Sequence, residues 1–259
     1  MKEIVHVQGI TKTFTLSRKQ QKLEKTDRKL KTAVKNLSFT ALEGEVFGLL
    51  GPNGAGKTTT LRILASLIRP DSGDALVEGI SVTKDPQGVH RKIGFLTSDL
   101  KLEEFFTPSY LFDFFAGLRD MPADLTRRRK AELFERFGVD RFAQEKVANL
   151  STGMKQKVSL LISLVHDPDI IIFDEPTNGL DVLTARVVTD FLLELKEQGK
   201  TVIVSSHIFS LIEKICDRVG IIVAGEMAAC DTLGKVTGGK DLEDVFFAIH
   251  DRIIGGDQA

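Results

Sequence analysis

Short apolar runs rich in β-branched residues alternate along this chain with longer stretches whose apolar positions recur at helical spacing. The short runs predict five strands: EVFGLL before Gly51, KIGFL before Thr97, DIIIFD ending at Asp174, TVIVSS ending at Ser206 and VGIIV after Arg218. Because these runs are continuously apolar, they favour a largely parallel sheet that is buried on both faces. Their alternation with helices predicts an α/β fold.

Two of the intervening helices can be placed from their apolar stripes. The stripe of the first helix, over residues 58–68, consists of Leu61, Leu64, Ala65 and Ile68. The stripe of the second, over residues 183–198, consists of Val188, Phe191, Leu192 and Leu195. Pro70 and Gly199 follow as stop signals. Both helices are expected to pack on the sheet. Residues 99–149 contain helical patterns and no convincing strand, so they predict a helical insert within the α/β core.

The composition favours a globular protein with a sizeable core, because 42% of the 259 residues are hydrophobic and 27% are charged. No apolar run approaches the roughly 18 residues of a membrane span. The N-terminus lacks the apolar segment of a signal peptide, so a cytoplasmic setting is expected. Cys216 and Cys230 lack metal-ligand spacing and are expected only to pack. A net charge of −1 argues against a protein whose whole surface grips nucleic acid.

The segment from Ser17 to Lys31 departs from this charge balance. It contains seven basic and two acidic residues, a local net charge of +5. A solvated, mobile loop is the preferred interpretation of such a run. Contact with anionic lipid headgroups or with an acidic partner is the alternative.

The stretch GLLGPNGAGKTTT follows the first buried strand and opens a helix, which is the context of a phosphate-binding loop. Its backbone N–H groups and the helix N-terminus would surround the phosphates, and Lys57 would add a full positive charge. The hydroxyl of Thr58 is placed to bind Mg²⁺. The predicted nucleotide-binding residues of this loop are Gly51, Pro52, Asn53, Gly54, Ala55, Gly56, Lys57, Thr58 and Thr59.

The stretch DIIIFDEPTNGLD supplies the second half of a nucleotide site. Asp174 ends an apolar strand and is predicted to hold Mg²⁺ or its water. Glu175 follows directly and is predicted to be the general base, or the residue that orients water, in hydrolysis. The alternative, in which both carboxylates only cap the following turn, explains less of the pattern.

These two motifs, together with LSTGMKQK at residues 150–157 and SSH at residues 205–207, resemble those of the ATPase subunit of an ABC transporter. The resemblance covers about residues 4–223 and is greatest to the sodium-extruding and drug-exporter-like branch. It implies a P-loop NTPase core of ABC ATPase type with a helical insert subdomain and an N-terminal antiparallel β region. The chain is then one domain over residues 1–259: a core at about 1–96 and 150–228, an insert at about 97–149 and a tail at about 229–259.

The resemblance also implies roles for individual residues. Ser151 and Gly153 would contact the γ-phosphate of an ATP held by a partner subunit, and Asp181 would lie at the dimer seam. His207 would touch the γ-phosphate within its own subunit, and Phe14, in ITKTF, would stack on adenine. The residues alone favour other roles: a helix N-cap for Ser151, a structural histidine for His207 and a core position for Phe14.

The sequence departs from the family pattern in three places. Thr152 and Met154 replace a glycine and a glutamine of the usual signature. The glutamine expected after IGFL, which in the family links Mg²⁺ and water to movement of the insert, is absent, and Ser98 and Asp99 stand at or beside its place. The basic segment at about residues 17–31 lengthens a loop that is short in the family.

The resemblance predicts a subunit that binds and hydrolyses ATP with Mg²⁺ and pairs with a second ATPase subunit, either a second copy or a close paralogue. It would power a separate membrane permease, in the direction of export, from the inner face of the cell membrane. No nucleic-acid partner is expected. The aromatic residues of the insert are expected to include an exposed subset that contacts a permease helix; they are Phe105, Phe106, Tyr110, Phe112, Phe114 and Phe115. A soluble ABC-type ATPase without a permease, acting on nucleic acid or ribosomes, is the alternative function, and an unrelated P-loop kinase or GTPase is a further one.

Overall fold

A computed structural model describes residues 2–23, 26–97 and 101–256 of the chain. Ser98 and Asp99, the predicted replacements of the glutamine, lie outside the described residues.

The strands, in chain order, are β1 Glu3–Thr15, β2 Leu30–Leu42, β3 Val46–Leu50, β4 Ser72–Val77, β5 Ile80–Ser81, β6 Ile93–Thr97, β7 Ile170–Asp174, β8 Thr201–Ser206, β9 Arg218–Val223 and β10 Glu226–Thr232. The helices are α1 Arg18–Leu23, α2 Lys57–Leu64, α3 Pro86–Lys92, α4 Pro108–Gly117, α5 Ala123–Phe137, α6 Thr152–Ser163, α7 Val182–Glu197, α8 Phe209–Ile215, α9 Leu233–Thr237 and α10 Leu242–Gly256.

The main sheet has six strands in the order β10-β9-β3-β8-β7-β6. Five of these strands, from β9 to β6 in that order, run parallel to one another. The sixth, β10, pairs with β9 in the antiparallel direction. The five strands predicted from the sequence are these parallel strands, so the α/β prediction is confirmed. Ile170 and Ile172 contribute to one core, whereas Ile171 and Phe173 contribute to the other. Burial on both faces therefore explains why the strand sequences are continuously apolar.

A second sheet has four antiparallel strands in the order β2-β1-β4-β5. It shares its core with α2, and the ring of Phe39 on β2 stacks on that of Phe47 on β3 with centroids 4.9 Å apart. This sheet is the N-terminal antiparallel β region that the family resemblance implies.

The predictions of the two helices have different outcomes. The helix α7 begins and ends within one residue of its predicted limits, and its predicted stripe is buried. The predicted end of the other helix at residue 68 is wrong, because α2 ends at Leu64. Ser66 adopts a left-handed backbone conformation with φ 55°, which turns the chain away from the helix axis before Ile68. Ile68 still packs against the core from beyond the helix end.

Within the described part of the predicted insert, residues 101–149, the secondary structure is helical and contains no strand. Thr107 caps α4 by accepting the Tyr110 N–H at 3.2 Å. Phe112 of α4 meets Phe134 of α5 edge to face, with ring centroids 5.5 Å apart, and both belong to the core that includes α6. No helix of the described residues is both long and apolar enough to cross a membrane.

Candidate active site

The phosphate-binding loop connects β3 to α2, and its glycines fit where larger residues would not. Gly54 and Gly56 have positive φ angles of 83° and 107°. A side chain at Gly56 would collide with the carbonyl oxygen of Ala33 on β2. The loop therefore lies directly against the antiparallel sheet, and the first turn of α2 begins with its N–H groups at the loop.

Lys57 is buried where the loop meets β7. Its Nζ donates to the carbonyl oxygen of Gly51 at 2.7 Å and lies 3.3 Å from that of Pro52. The same Nζ is 3.2 Å from Oε1 of Glu175. Because three oxygens face this ammonium group, its position beside the loop is fixed.

Asp174 ends β7 and is almost completely buried, with 1% of its surface exposed. Its Oδ1 accepts hydrogen bonds from the hydroxyls of Thr58 at 3.0 Å and Ser205 at 2.6 Å. A carboxylate oxygen and a threonine hydroxyl beside a phosphate-binding loop are the hard oxygen donors that suit Mg²⁺. The residues present therefore fit this ion.

Glu175 turns away from Asp174 because its backbone is left-handed, with φ 53°. Its N–H donates to the hydroxyl of Ser205 at 3.1 Å and to the Ser205 carbonyl at 3.2 Å. Its side chain lies between two cationic or potentially cationic groups, since Oε1 faces Lys57 and Oε2 is 2.8 Å from Nδ1 of His207. The two adjacent carboxylates thus have different surroundings.

These groups meet at a cavity of 460 Å³. Of the residues predicted to bind nucleotide or catalyse hydrolysis, those that line the cavity are Phe14, Pro52, Asn53, Gly54, Gly56, Lys57, Thr58, Thr59 and Glu175. Gly51 and Ala55 belong to the loop without lining the cavity; Asp174 is joined to the cavity through Thr58, and His207 through Glu175. Phe14 is half-exposed at its wall, with the ammonium of Lys12 5.7 Å from its ring centroid.

The three residues predicted to act at a dimer seam lie elsewhere. Ser151 caps α6, its hydroxyl accepting the Met154 N–H at 3.3 Å. Asp181 caps α7: its Oδ1 accepts the N–H groups of Leu183 and Thr184, both at 3.0 Å, and its Oδ2 accepts the Thr184 hydroxyl at 2.7 Å. These bonds hold the pKa of Asp181 below its usual value, and the bond from the Thr184 hydroxyl has the largest effect. Gly153 adjoins them, since a Cβ there would lie 3.6 Å from Asp181 Oδ2.

Sequence reasoning missed four residues that line the cavity, which are Leu16, Lys31, Ala33 and Asn178. It also assigned no role to Ser205, which bonds to both Asp174 and Glu175. Asn178 and Ser205 were within quoted motifs, so position in the motif was an available signal. Lys31 was assigned to a solvated loop, and nothing in the charge pattern distinguished it from its neighbours.

A family model described as ABC transporter matches residues 34–178 of the chain. The chain belongs to this family. It is 36% identical over 230 residues to the ABC transporter ATP-binding protein NatA of Bacillus subtilis, a match that covers 88% of this chain and 94% of NatA. It is 37% identical to the linearmycin resistance ATP-binding protein LnrL of the same organism, over 78% of this chain and 65% of LnrL.

Among solved structures, the chain resembles the dimeric ATP-binding cassette MJ0796 in a post-hydrolysis state bound to ADP and Pi. The TM-score is 0.77 at 27% identity, and the match covers 88% of this chain and 98% of that chain. The chain is thus an ATP-binding subunit of ABC type and an ATPase.

Proposed function

We propose that this ATPase pairs head to tail with a second copy or a close paralogue around two MgATP and powers export through a separate membrane-spanning permease. The subunit would lie at the inner face of the cell membrane, held there by that permease. The direction of transport is supported by LnrL, whose name records resistance to linearmycin. Pairing is supported by the dimeric form of MJ0796.

One observation carries the proposal: the chain contains two sets of nucleotide-binding motifs, and only one of them lines its cavity. We call Gly51–Thr59, Asp174, Glu175 and His207 the phosphate half, and Ser151, Gly153 and Asp181 the signature half. The signature half contributes nothing to the cavity wall. Ser151 and Asp181 are exposed, at the N-termini of α6 and α7. Two helix N-termini side by side favour an anion brought by another molecule.

Within the phosphate half, each side chain has a role in hydrolysis. The loop N–H groups and Lys57 bind the β- and γ-phosphates, and Phe14 stacks on the adenine. Thr58 and Asp174 would hold Mg²⁺, which neutralises charge on the phosphates. Glu175 accepts a proton from the attacking water at its carboxylate, which Lys57 and His207 keep aimed at the reacting end of the nucleotide. His207 itself touches the γ-phosphate.

The permease would dock on the helical insert. Three of its aromatic side chains are substantially exposed: Phe105 by 63%, Tyr110 by 47% and Phe114 by 48%. They belong to one row with Phe106, in which successive ring centroids are 4.3, 4.3 and 6.2 Å apart. Phe112 is instead buried in the insert core. An exposed aromatic row of this kind is typical of a protein-binding surface.

The proposed pairing is tested by Ser151→Arg, which places a bulky cation where the partner's nucleotide must approach. We expect nucleotide binding to the phosphate half to survive, because the cavity is intact, and ATP hydrolysis to be lost. Thr107→Arg is the matched control, since it removes the corresponding cap of α4 outside both halves. Wild-type hydrolysis by Ser151→Arg would refute the assignment of the signature half.

The proposed docking is tested by Tyr110→Ser combined with Phe114→Ser. The pair should abolish copurification with a permease from detergent-solubilised membranes and leave hydrolysis by the isolated subunit unchanged. Phe247→Ser combined with Ile254→Ser removes two exposed apolar side chains from α10, outside both halves and outside the insert, and serves as the control for docking. Unchanged copurification after the aromatic substitutions would contradict this docking surface, and wild-type protein that purifies with no membrane protein would favour a soluble ABC-type ATPase.

A further inference from the structure

The basic segment between β1 and β2 is tied to the nucleotide cavity at one particular residue. The two strands pair as far as Thr15 opposite Leu30, and the N–H of Leu16 then donates to the carbonyl oxygen of Lys29 at 2.8 Å. Lys31 lies directly opposite Phe14 in this register. Strand pairing therefore fixes the backbone of Lys31 beside the aromatic residue proposed to stack on adenine.

The face of β2 that carries Lys31 is the face that meets the cavity. Side chains alternate along a strand, so Lys31 and Ala33 point to the same side. Both line the cavity, as do Phe14 of the facing strand and Leu16, which directly follows that strand. Ala33 in turn contacts the phosphate loop, because its carbonyl oxygen lies against Gly56. Lys31 thus belongs to a continuous wall that runs from the ring of Phe14 towards the phosphate loop.

Charged side chains lie at two places in the cavity wall. Among the described residues that line it, the charged side chains are Lys31, Lys57 and Glu175. Lys57 and Glu175 form an ion pair at the phosphate-loop end, with Nζ and Oε1 3.2 Å apart. Lys31 is the cation of the opposite wall, next to Phe14. The ammonium group of Lys31 would attract an anionic part of a ligand that lies along this wall.

We propose that Lys31 is a nucleotide-binding residue that contacts the phosphate nearest the ribose. The inference rests on the proposed placement of the nucleotide, with its base on Phe14 and its terminal phosphates on the loop. In that placement the phosphate attached to the ribose lies between Phe14 and the loop, along the wall that carries Lys31. Because ATP and ADP share this phosphate, Lys31 strengthens the binding of both, whereas the signature half acts only on the γ-phosphate.

The experiment measures the Kd of MgADP and of a non-hydrolysable MgATP analogue by calorimetry for the wild type, Lys31→Ala, Lys31→Arg and Lys29→Ala. Lys31→Ala should raise both Kd values by the same factor, roughly fivefold, as expected for loss of one partly exposed ionic contact. Lys31→Arg should restore most of the affinity. Lys29→Ala removes an equal charge two residues away, outside the cavity lining, and should leave both Kd values within about twofold of the wild type.

Unchanged Kd values for Lys31→Ala would overturn the inference, and so would a loss confined to the ATP analogue. Equal losses from Lys29→Ala and Lys31→Ala would overturn it as well, because they would indicate a diffuse field rather than a contact. Lys57→Ala separates these results from failure of the proposed site. If Lys57→Ala binds both nucleotides as the wild type does, the phosphate half is wrongly placed and the inference about Lys31 falls with it.

Discussion

The phosphate half and the signature half differ in how completely the chain surrounds them. In the phosphate half, Asp174 is buried and both oxygens of Glu175 have partners within the chain. In the signature half, the side-chain oxygens of Ser151 and Asp181 accept hydrogen bonds from the first turns of the helices that they begin. The fold assembles the phosphate half from the ends of three strands, whereas the signature half consists of two exposed helix N-termini.

This difference supports the proposal that the signature half acts together with a second molecule. Buried polar groups must have their partners inside the chain, because leaving one unpaired costs roughly 1–3 kcal/mol. Exposed caps can exchange part of their hydration for an external ligand at little cost to the fold. Substitutions in the phosphate half should therefore affect nucleotide chemistry within the subunit, and those in the signature half should affect what happens between subunits.

The largest expected effect is that of Glu175→Gln. An amide cannot accept a proton from the attacking water, so steady-state hydrolysis should fall roughly 100-fold or more. Nucleotide binding should persist, because Lys57, Thr58 and Asp174 remain, and an ATP-bound dimer should accumulate on size-exclusion chromatography. Glu132→Gln, an exposed position on α5, is the control. Turnover near that of the wild type would remove Glu175 from the catalytic role.

His166, which lies three residues beyond the end of α6, provides a test of the fold alone. Burial, with a smaller contribution from Arg119, lowers the pKa of His166 from 6.5 to about 4, while its Nε2 lies 3.1 Å from the carbonyl oxygen of Ile93. The unfolded chain therefore binds the extra proton first, so stability is full above about pH 6.5 and is lost as the pH falls towards 4.

Urea unfolding of the wild type should consequently give a free energy about 2 kcal/mol lower at about pH 5 than at about pH 7.5 because of this histidine. His166→Gln should lose that part of the pH dependence. Identical pH profiles for the variant and the wild type would contradict the burial of a neutral imidazole at this position.

A smaller effect is expected from Ser205→Ala. Its hydroxyl donates to Asp174 and accepts from the Glu175 N–H, so its loss should loosen both carboxylates. We expect the turnover number to fall about tenfold and half-saturation by Mg²⁺ to require more of the ion. Ser163→Ala, which removes another buried hydroxyl in α6, should lower stability without changing the Mg²⁺ requirement. Similar Mg²⁺ titrations for both variants would reduce Ser205 to a structural role.

The smallest effect is expected from Asp181→Asn, and it contrasts with the same change at Asp174. Asparagine caps helices about as well as aspartate, so the thermal unfolding midpoint should hardly move. Hydrolysis should fall only roughly two- to fivefold, through loss of a charge at the proposed seam. Asp174→Asn should reduce hydrolysis far more. Equal losses from the two variants would remove the distinction between the halves.

Much of the phosphate half could be predicted because its residues are contiguous in sequence and follow apolar strands. The position of Lys31 in the cavity wall could not be predicted from the sequence. It depends on the register between β1 and β2, which pairs Lys31 with Phe14. The same holds for Ser205, which reaches Asp174 only because β8 lies beside β7. The early end of α2 depends on the left-handed Ser66, which an apolar stripe does not encode. Local periodicity in the sequence predicts individual strands and helices. The pairing of strands in the folded chain determines which side chains meet.

The central claim is that the signature half acts on a nucleotide held by another subunit, and mixing two inactive variants tests it most directly. Ser151→Arg damages the signature half and Lys57→Ala damages the phosphate half. A mixed dimer then contains one site with both halves intact and one with both damaged. Each variant alone should show almost no hydrolysis, and the mixture should regain part of the wild-type rate. Hydrolysis that stays absent on mixing, although the two variants are shown to dimerise with each other, would contradict the account.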